Sequence, residues 1–332
     1  MGDPAGIGGD ITLMCWQRRR ELGLKPFFVL DDPARLIALA SHLGLDCPVE
    51  VIETTDATHE VFDKALPVMP LSMAVNTAPG KPDTGSGASV IESLDRAVDM
   101  ALGDEVSAVV TNPIHKANLY QAGFKHPGHT EYLAARASAA TGNTIRPVMM
   151  LACAEIRVIP ITIHTSLRQA IDDLNIDLIV ETARICARDL QQKFGLSSPC
   201  LAFAGLNPHA GEDGNMGREE IDIIRPAIDI LRAEGIDCQG PLSADTMFHA
   251  QARQTYDVAL CMYHDQALIP IKTIDFDHGV NVTLGLPFIR TSPDHGTAFG
   301  IAGSGSASPN SLAAALMMAS DMAATSIHET SA

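Results

Sequence analysis

The chain repeats one pattern: a short apolar run breaks off into polar, chemistry-bearing residues, and a helix-compatible segment follows. Val106–Val110 runs into Thr111-Asn112-Pro113. Arg157–Ile163 ends at His164, Cys200–Leu206 runs into Asn207-Pro208-His209, and Val258–Met262 stops at Tyr263-His264-Asp265-Gln266. Continuous apolar runs of this length, separated by amphipathic segments such as Ala88–Leu102 and Ile176–Phe194, specify buried strands alternating with helices. That is an α/β fold with mostly parallel strands, whose ligands bind where the strands end. Val148–Leu151 and Arg157–Ile163 alternate about a turn at Ala154-Glu155, which predicts an antiparallel hairpin and therefore a mixed sheet in the second half. Further helices are expected at Asp10–Glu21, Asp32–Leu43, Glu131–Ser138, Ile221–Ala233 and Ser311–Ala324, and short strands at Phe27–Leu30 and Val49–Ile52. Residues 54–87 read as irregular, and 240–246 as a loop before a short helix.

Composition narrows the partners. A chain of 332 residues with a hydrophobic share of 46% can bury one large core or two medium ones. Its net charge of −17 and pI near 5.0 leave no basic face for nucleic acid or an anionic membrane. An anionic small molecule would need a local cationic pocket. The seven cysteines are scattered without a CxxC pair, the pattern of reduced thiols in a cytoplasmic protein. No apolar run reaches membrane-spanning length and no secretory leader opens the chain, so a soluble, untargeted protein is expected.

Against this acidic background the isolated cations stand out. Lys272, Asn281 in GVNVTLG and Arg290 in PFIRTS suit a phosphate monoester or carboxylate, the arginine through its planar fork and the lysine as a point charge. His164, His209 and His264 all follow buried strands, so one sheet edge could gather three imidazoles. Three neutral imidazoles leave positions open for substrate oxygens, as catalytic metal sites do. One such histidine alone is more often a surface or core residue. His129-Thr130 could offer an imidazole, a hydroxyl and free backbone N–H groups to an anion, or be a plain loop with Thr130 as helix cap. Asp245 could orient a ligand from behind the metal or simply cap a helix. His295, Gly296, Thr297 and Gly303 lie in a glycine-bearing stretch where backbone could approach a planar base, or in a plain turn. The glycines of residues 2–9 lack GK[ST], and GxGxxG is absent, so a Rossmann site is not supported.

Six motifs then carry a resemblance over nearly the whole chain: GDPAGIG, PGHTEYLA, LNPHAGEDG, GPLSADTMF, MYHDQALIPIK and GVNVTLGLPFIRTSPDHGTA. Together they resemble the 4-hydroxythreonine-4-phosphate dehydrogenase (PdxA) family of pyridoxal phosphate biosynthesis. The resemblance implies a two-lobed α/β/α fold of the isocitrate and isopropylmalate dehydrogenase type, divided as 1–122 plus 292–332 (cofactor side) and 123–291 (metal, substrate and dimer interface). It implies NAD-dependent oxidation of the C3 hydroxyl of 4-phosphooxy-L-threonine to a 3-oxo acid that loses CO2 to give 3-amino-2-oxopropyl phosphate. The implied metal ligands are His164, His209 and His264 on one divalent ion (zinc, magnesium or cobalt), the third ligand coming from the partner subunit of a homodimer. The implied substrate contacts are His129, Thr130, Lys272, Asn281 and Arg290. Asp245 stands beside the metal, and Lys272 handles a proton or orients the substrate. Three rivals remain: a paralogue oxidising 4-phosphoerythronate, 4-phosphothreonate or an aromatic dihydrodiol, a non-redox metal-dependent phosphatase or acyltransferase, and a degenerate binding protein.

The chain departs from the family pattern at three places. The family's strand before GDPAGIG is missing, for which a misplaced start codon is the expected reason. Gly8-Gly9-Asp10 stands where GPE is usual. Gly300 occupies a loop position that is acidic in related dehydrogenases and binds adenosine ribose in isopropylmalate dehydrogenase, with Ser306 in place of a frequent lysine. Introducing the missing carboxylate by Gly300→Asp is expected to lower the KM for NAD in initial-rate measurements; an unchanged KM would remove any role for this position.

Overall fold

A computed structural model describes residues 1–126 and 128–330, with only the backbone of 327–330; Pro127 of the PGHT loop lies outside the described residues. The chain divides into two compact units, Met1–Pro147 with Leu286–Asp321, and Val148–Gly285 with Met322–Ala332.

The first unit opens with α1 (Gly8–Gln17), β1 (Val29–Asp31), α2 (Pro33–Leu43), β2 (Val49–Val51), α3 (Ala57–Val61), β3 (Leu66–Pro70), α4 (Gly87–Leu102), β4 (Ala108–Val110), α5 (Lys116–Gln121) and α6 (His129–Thr141). The chain then enters the second unit with β5 (Val148–Ala152), β6 (Arg157–Pro160), α7 (Leu167–Asp173), α8 (Ile176–Phe194), β7 (Leu201–Ala204), α9 (Arg225–Ala233), β8 (Cys238–Leu242), β9 (Val258–Cys261), α10 (His264–Ile274) and β10 (Val280–Leu284). It returns through β11 (Ile289–Pro293) to α11 (Asn310–Thr330).

In the first unit, a parallel sheet in the order β1-β3-β2 packs Leu66 and Val68 against Leu13, Trp16, Leu36 and Leu39 of α1 and α2. Asp32 caps α2, its carboxylate accepting from Ala34 N at 2.9 Å, and Gly44 closes the helix at φ 65°. The central strand β3 and helix α3 correct the expectation that 54–87 is irregular. Two prolines masked β3, because proline inside a strand argues against a central position. The ladder tolerates Pro67: Leu66 N donates to Pro48 O and Ile52 N to Val68 O, while pairing with β1 begins only at Val29↔Val68. Pro67 therefore sits where no neighbouring carbonyl calls for its missing N–H. Helix α1 also ends earlier than predicted, at Gln17.

In the second unit the sheet runs β10-β5-β6-β9-β7-β8, with the expected antiparallel hairpin β5/β6 and parallel β6/β9, β9/β7 and β7/β8 pairs. Helix α8 spans the predicted residues and ends at Gly195 with φ 68°. β8 corrects the loop expected at 240–246: Gly240 and Pro241 sit where its register with β7 shifts, and a Cβ on Gly240 would lie 2.5 Å from Phe203 O. Both residues are what an irregular strand requires. The short helix expected after it is a single 3-10 turn, Ala252–Thr255, reached through turns at 244–250.

The division falls at 147/148 and 285/286, not at 122/123 and 291/292, because Leu133, Ala134 and Ala137 of α6 share one core with Val98, Ala101, Val109, Leu286 and Phe288. His129, Thr130 and Arg290 thus belong to the first unit. All seven cysteines are buried and none is in a disulfide; burial pushes the Cys15 and Cys47 thiols up to about 12. Among the described residues no helix is long and apolar enough to cross a membrane.

The second unit also buries a charge cluster. Asp189 of α8, 1% exposed, accepts from Lys193 Nζ at 2.8 Å, Arg188 Nη2 at 2.8 Å and Gly285 N at 2.7 Å. Its carboxylate thereby joins α8 to the end of β10. Removing one member of a buried ion pair strands the others, so Asp189→Ala is expected to cost about 3 kcal/mol, read as a lower urea midpoint at unchanged slope.

Candidate active site

The three strand-end histidines all lie in the second unit, after three neighbouring parallel strands. β6 is in register with β9 through Val158↔Ala259 and Pro160↔Cys261, and β9 with β7 through Val258↔Leu201 and Leu260↔Phe203. Their ends are laced together. Thr162 Oγ1 donates to Met262 O at 2.8 Å, Met262 N donates to Gln266 Oε1 at 2.7 Å, and Gln266 Nε2 donates to Gly205 O at 2.7 Å. Sequence reasoning passed over Thr162 and Gln266; a buried glutamine two residues after a strand-end histidine was the available signal.

At this edge the ring centroids of His164 and His264 lie 5.9 Å apart, tilted by 42°. A cation about 2.1 Å from each ligating nitrogen, bound at a roughly tetrahedral angle, places two ring centroids about 5 to 6 Å apart. His264 begins α10, and its Nδ1 is 2.8 Å from Asp265 Oδ1, the carboxylate–imidazole contact that fixes a ligand's tautomer and leaves Nε2 for a cation. The donor chemistry therefore fits a divalent metal. His209 lies five residues beyond β7 on a turn of its own, within electrostatic reach of Asp245. Asp245 is exposed and accepts from Ser243 Oγ at 2.6 Å; that bond, ahead of the His209 charge, holds its carboxyl below the usual range. Among the described residues no group of three His, Cys, Asp or Glu side chains is gathered within the single chain as a metal cage.

Backbone strain marks the same histidines. His164 has φ 48° and His209 φ 52°. A left-handed conformation costs an L-residue roughly 1–2 kcal/mol, and such strain concentrates at functional sites. On α10, Lys272 lies two turns after His264, its Nζ 5.1 Å from the Phe276 ring centroid. Asn281 on β10 keeps a buried Oδ1 without a hydrogen-bond partner, an atom placed for a donor that a ligand could bring.

The first unit holds the other expected contacts. Arg290 lies in β11, paired with Val109 of the parallel strand β4. It is 2% exposed, and its Nη2 donates to Thr111 Oγ1 at 2.6 Å. Burial lowers its pKa to about 10, with Glu131 opposing, so the guanidinium stays charged at neutral pH. His129 starts α6. Burial, then the Arg290 charge, drives its pKa well below the usual imidazole value, and its buried Nε2 has no hydrogen-bond partner. A neutral imidazole with an open nitrogen beside a buried guanidinium suits an anionic oxygen ligand. Thr130 is not the helix cap: α6 begins one residue earlier behind Gly128, which has no side chain to cap it.

The glycine-bearing loop is pinned from within the first unit. Ile7 N donates to Thr297 O at 2.9 Å, and a Cβ on Gly6 would meet that oxygen at 2.8 Å. Asp10 Oδ2 accepts from Gly303 N at 2.7 Å, and His42 Nε2 is 3.0 Å from Gly303 O. His295 keeps a buried Nε2 without a partner. A Cβ on Gly296 or Gly300 would meet nothing within 4 Å, which leaves open room for a planar ligand and for an aspartate at 300.

Comparison with known proteins resolves the family. A model described as pyridoxal phosphate biosynthetic protein PdxA matches residues 24–319. The chain belongs to the PdxA family. A relative from Methylorubrum populi named 4-hydroxythreonine-4-phosphate dehydrogenase is 54% identical over 97% of this chain and 93% of its own length. The solved 4-hydroxythreonine-4-phosphate dehydrogenase of Klebsiella pneumoniae superposes with a TM-score of 0.84 at 36% identity, covering 97% of this chain and 98% of that one. A terephthalate 1,2-cis-dihydrodiol dehydrogenase from Burkholderia xenovorans superposes less well, at 0.64 and 25% identity, over 97% and 96%.

The depressed His129 pKa has a consequence in solution. Below about 6.5 the unfolded chain protonates this imidazole while the folded one does not. The unfolded state then binds more protons, so stability falls as pH drops through that window. The urea midpoint should decline from pH about 7.5 to about 5.5, and His129→Asn should flatten that decline.

Proposed function

We propose that this protein is a metal- and NAD-dependent 4-hydroxythreonine-4-phosphate dehydrogenase of pyridoxal phosphate biosynthesis, working in the cytoplasm as a homodimer. It oxidises 4-phosphooxy-L-threonine to 2-amino-3-oxo-4-phosphooxybutanoate, which loses CO2. The observation that carries the chemistry is the His164–His264 pair at the edge of parallel strands. The substrate follows from the name borne by relatives of about half-identical sequence.

His164, His209 and His264 would hold one zinc, magnesium or cobalt ion, with one ligand supplied by a second copy of the chain. Such a cation would supply acidification of the C3 hydroxyl, and a bound nicotinamide would supply a hydride acceptor. Lys272 accepts the hydroxyl proton or returns one to the product carbon after decarboxylation, and Asn281 accepts a hydrogen bond from the substrate. The Arg290 guanidinium, flanked by neutral His129 and the Thr130 hydroxyl, binds an anionic group of the substrate. Asp245 orients His209. Backbone around His295, Gly296, Thr297 and Gly303 receives the cofactor.

A dihydrodiol substrate is the second reading, supported by the more distant superposition at 0.64. NADH formation should require both 4-phosphooxy-L-threonine and a divalent metal, and stop on chelation. Higher kcat/KM with a dihydrodiol or 4-phosphoerythronate would move the enzyme to a paralogous reaction. Turnover without NAD would point to a phosphatase or acyltransferase.

A further inference from the structure

The turn bearing His209 is left-handed over a series of residues: His209 (φ 52°), Ala210 (51°), Gly211 (79°), Glu212 (43°) and Asp213 (55°). L-residues visit this region singly, not in succession, so something must hold the turn there. The group inside it is Glu220. This residue is 1% exposed and begins a π-helical turn, Glu220–Ile224, an irregularity frequent at functional sites. One of its carboxylate oxygens accepts from Asn207 N at 2.7 Å and the other from Asn207 Nδ2 at 3.0 Å. Two glycines make the space: a Cβ on Gly211 would stand 2.6 Å from Glu220 Oε2, and one on Gly205 would stand 2.8 Å from Ala210 Cα and 3.2 Å from Glu220 Oε1. The carboxylate lies against Gly205 and Gly211 and takes both the backbone and the side-chain N–H of Asn207, the residue two before His209; Glu219 Oε2 shares the side-chain amide at 2.7 Å.

We propose that Glu220 is a positioning residue: by bracing Asn207 it keeps this strained turn in the form that presents His209, and so sets the site's affinity for a divalent cation. The inference rests on the reading of His209 as a metal ligand. Strain without the brace would relax into conformations that carry His209 away, and the cation would have to repay the difference on binding.

The test uses the full-length protein titrated with Co2+, followed by its ligand-field absorption, with the urea midpoint recorded for each variant. Glu220→Gln keeps the shape and one acceptor but turns a donor toward Asn207 Nδ2; it should weaken Co2+ binding about 10-fold, the scale of losses when a ligand's supporting group is removed. Adding Ala210→Gly, which relieves left-handed strain, should recover most of that loss, whereas a purely structural role for Glu220 predicts no recovery. Unchanged Co2+ affinity in Glu220→Gln, an unrelieved loss in the double variant, or loss of cooperative unfolding would each overturn the proposal. Wild-type protein that fails to bind Co2+ would instead remove the metal reading, and this inference with it.

Discussion

The register between β6, β9 and β7 is the constraint on which the candidate metal site depends. Parallel strands cannot slip by one residue without turning every side chain to the opposite face, and here the last backbone groups of the ladder are tied by buried side chains. Gln266 takes Met262 N and gives to Gly205 O, while Thr162 gives to Met262 O. Each would be a buried polar group without a partner if the strands shifted, at a cost of about 1–3 kcal/mol apiece. Where the ladder stops is therefore well determined. His164 and His264, emerging immediately after it, inherit that precision.

The electrostatic problem of this chain is to attract an anion with a net charge of −17. Surface cations would be screened and outnumbered, so the useful charge has to be buried. Arg290 is a buried charge of this kind: its pKa is pulled down to about 10 by loss of water, so part of its hydration is already given up in the fold. A phosphate or carboxylate placed there would meet a guanidinium that is incompletely solvated and held by Thr111 Oγ1 at 2.6 Å. The neighbouring His129 is kept neutral by the same burial and the same charge. The pair therefore supplies one positive charge and one adaptable nitrogen instead of two repelling cations.

How far the residues announced this depends on whether the determining physics is local. The strand-end histidines, the β5/β6 hairpin and the Gly195 cap were legible because apolar runs, turns and positive-φ glycines act within a few residues. β3 was not, since Pro67 is acceptable only because the partner strand starts one residue later, a fact about Val29. The cap of α6 was misassigned for a similar reason: Thr130 has the right chemistry, but the helix begins at His129. Glu220 gave no local signal either. It lies eleven residues beyond His209 in an ordinary acidic stretch, and its meaning comes from the glycines at 205 and 211 that the folded turn brings against it.

The glycine-bearing loop follows a different logic from the metal edge. Its inner side is fixed by Asp10 on Gly303 N, His42 beside Gly303 O and Ile7 on Thr297 O. Asp10 is fully buried, and burial raises its pKa, so holding Gly303 is its evident use. At Gly296 and Gly300 there is open space, since a Cβ on either would meet nothing within 4 Å. A nucleotide bound there would meet backbone dipoles and shape, with no carboxylate for its ribose at position 300. Affinity on such a surface depends on how rigidly the backbone is held before the ligand arrives. Asp10 and His42 supply such rigidity to this loop, by holding the backbone of Gly303 on both its N–H and its carbonyl.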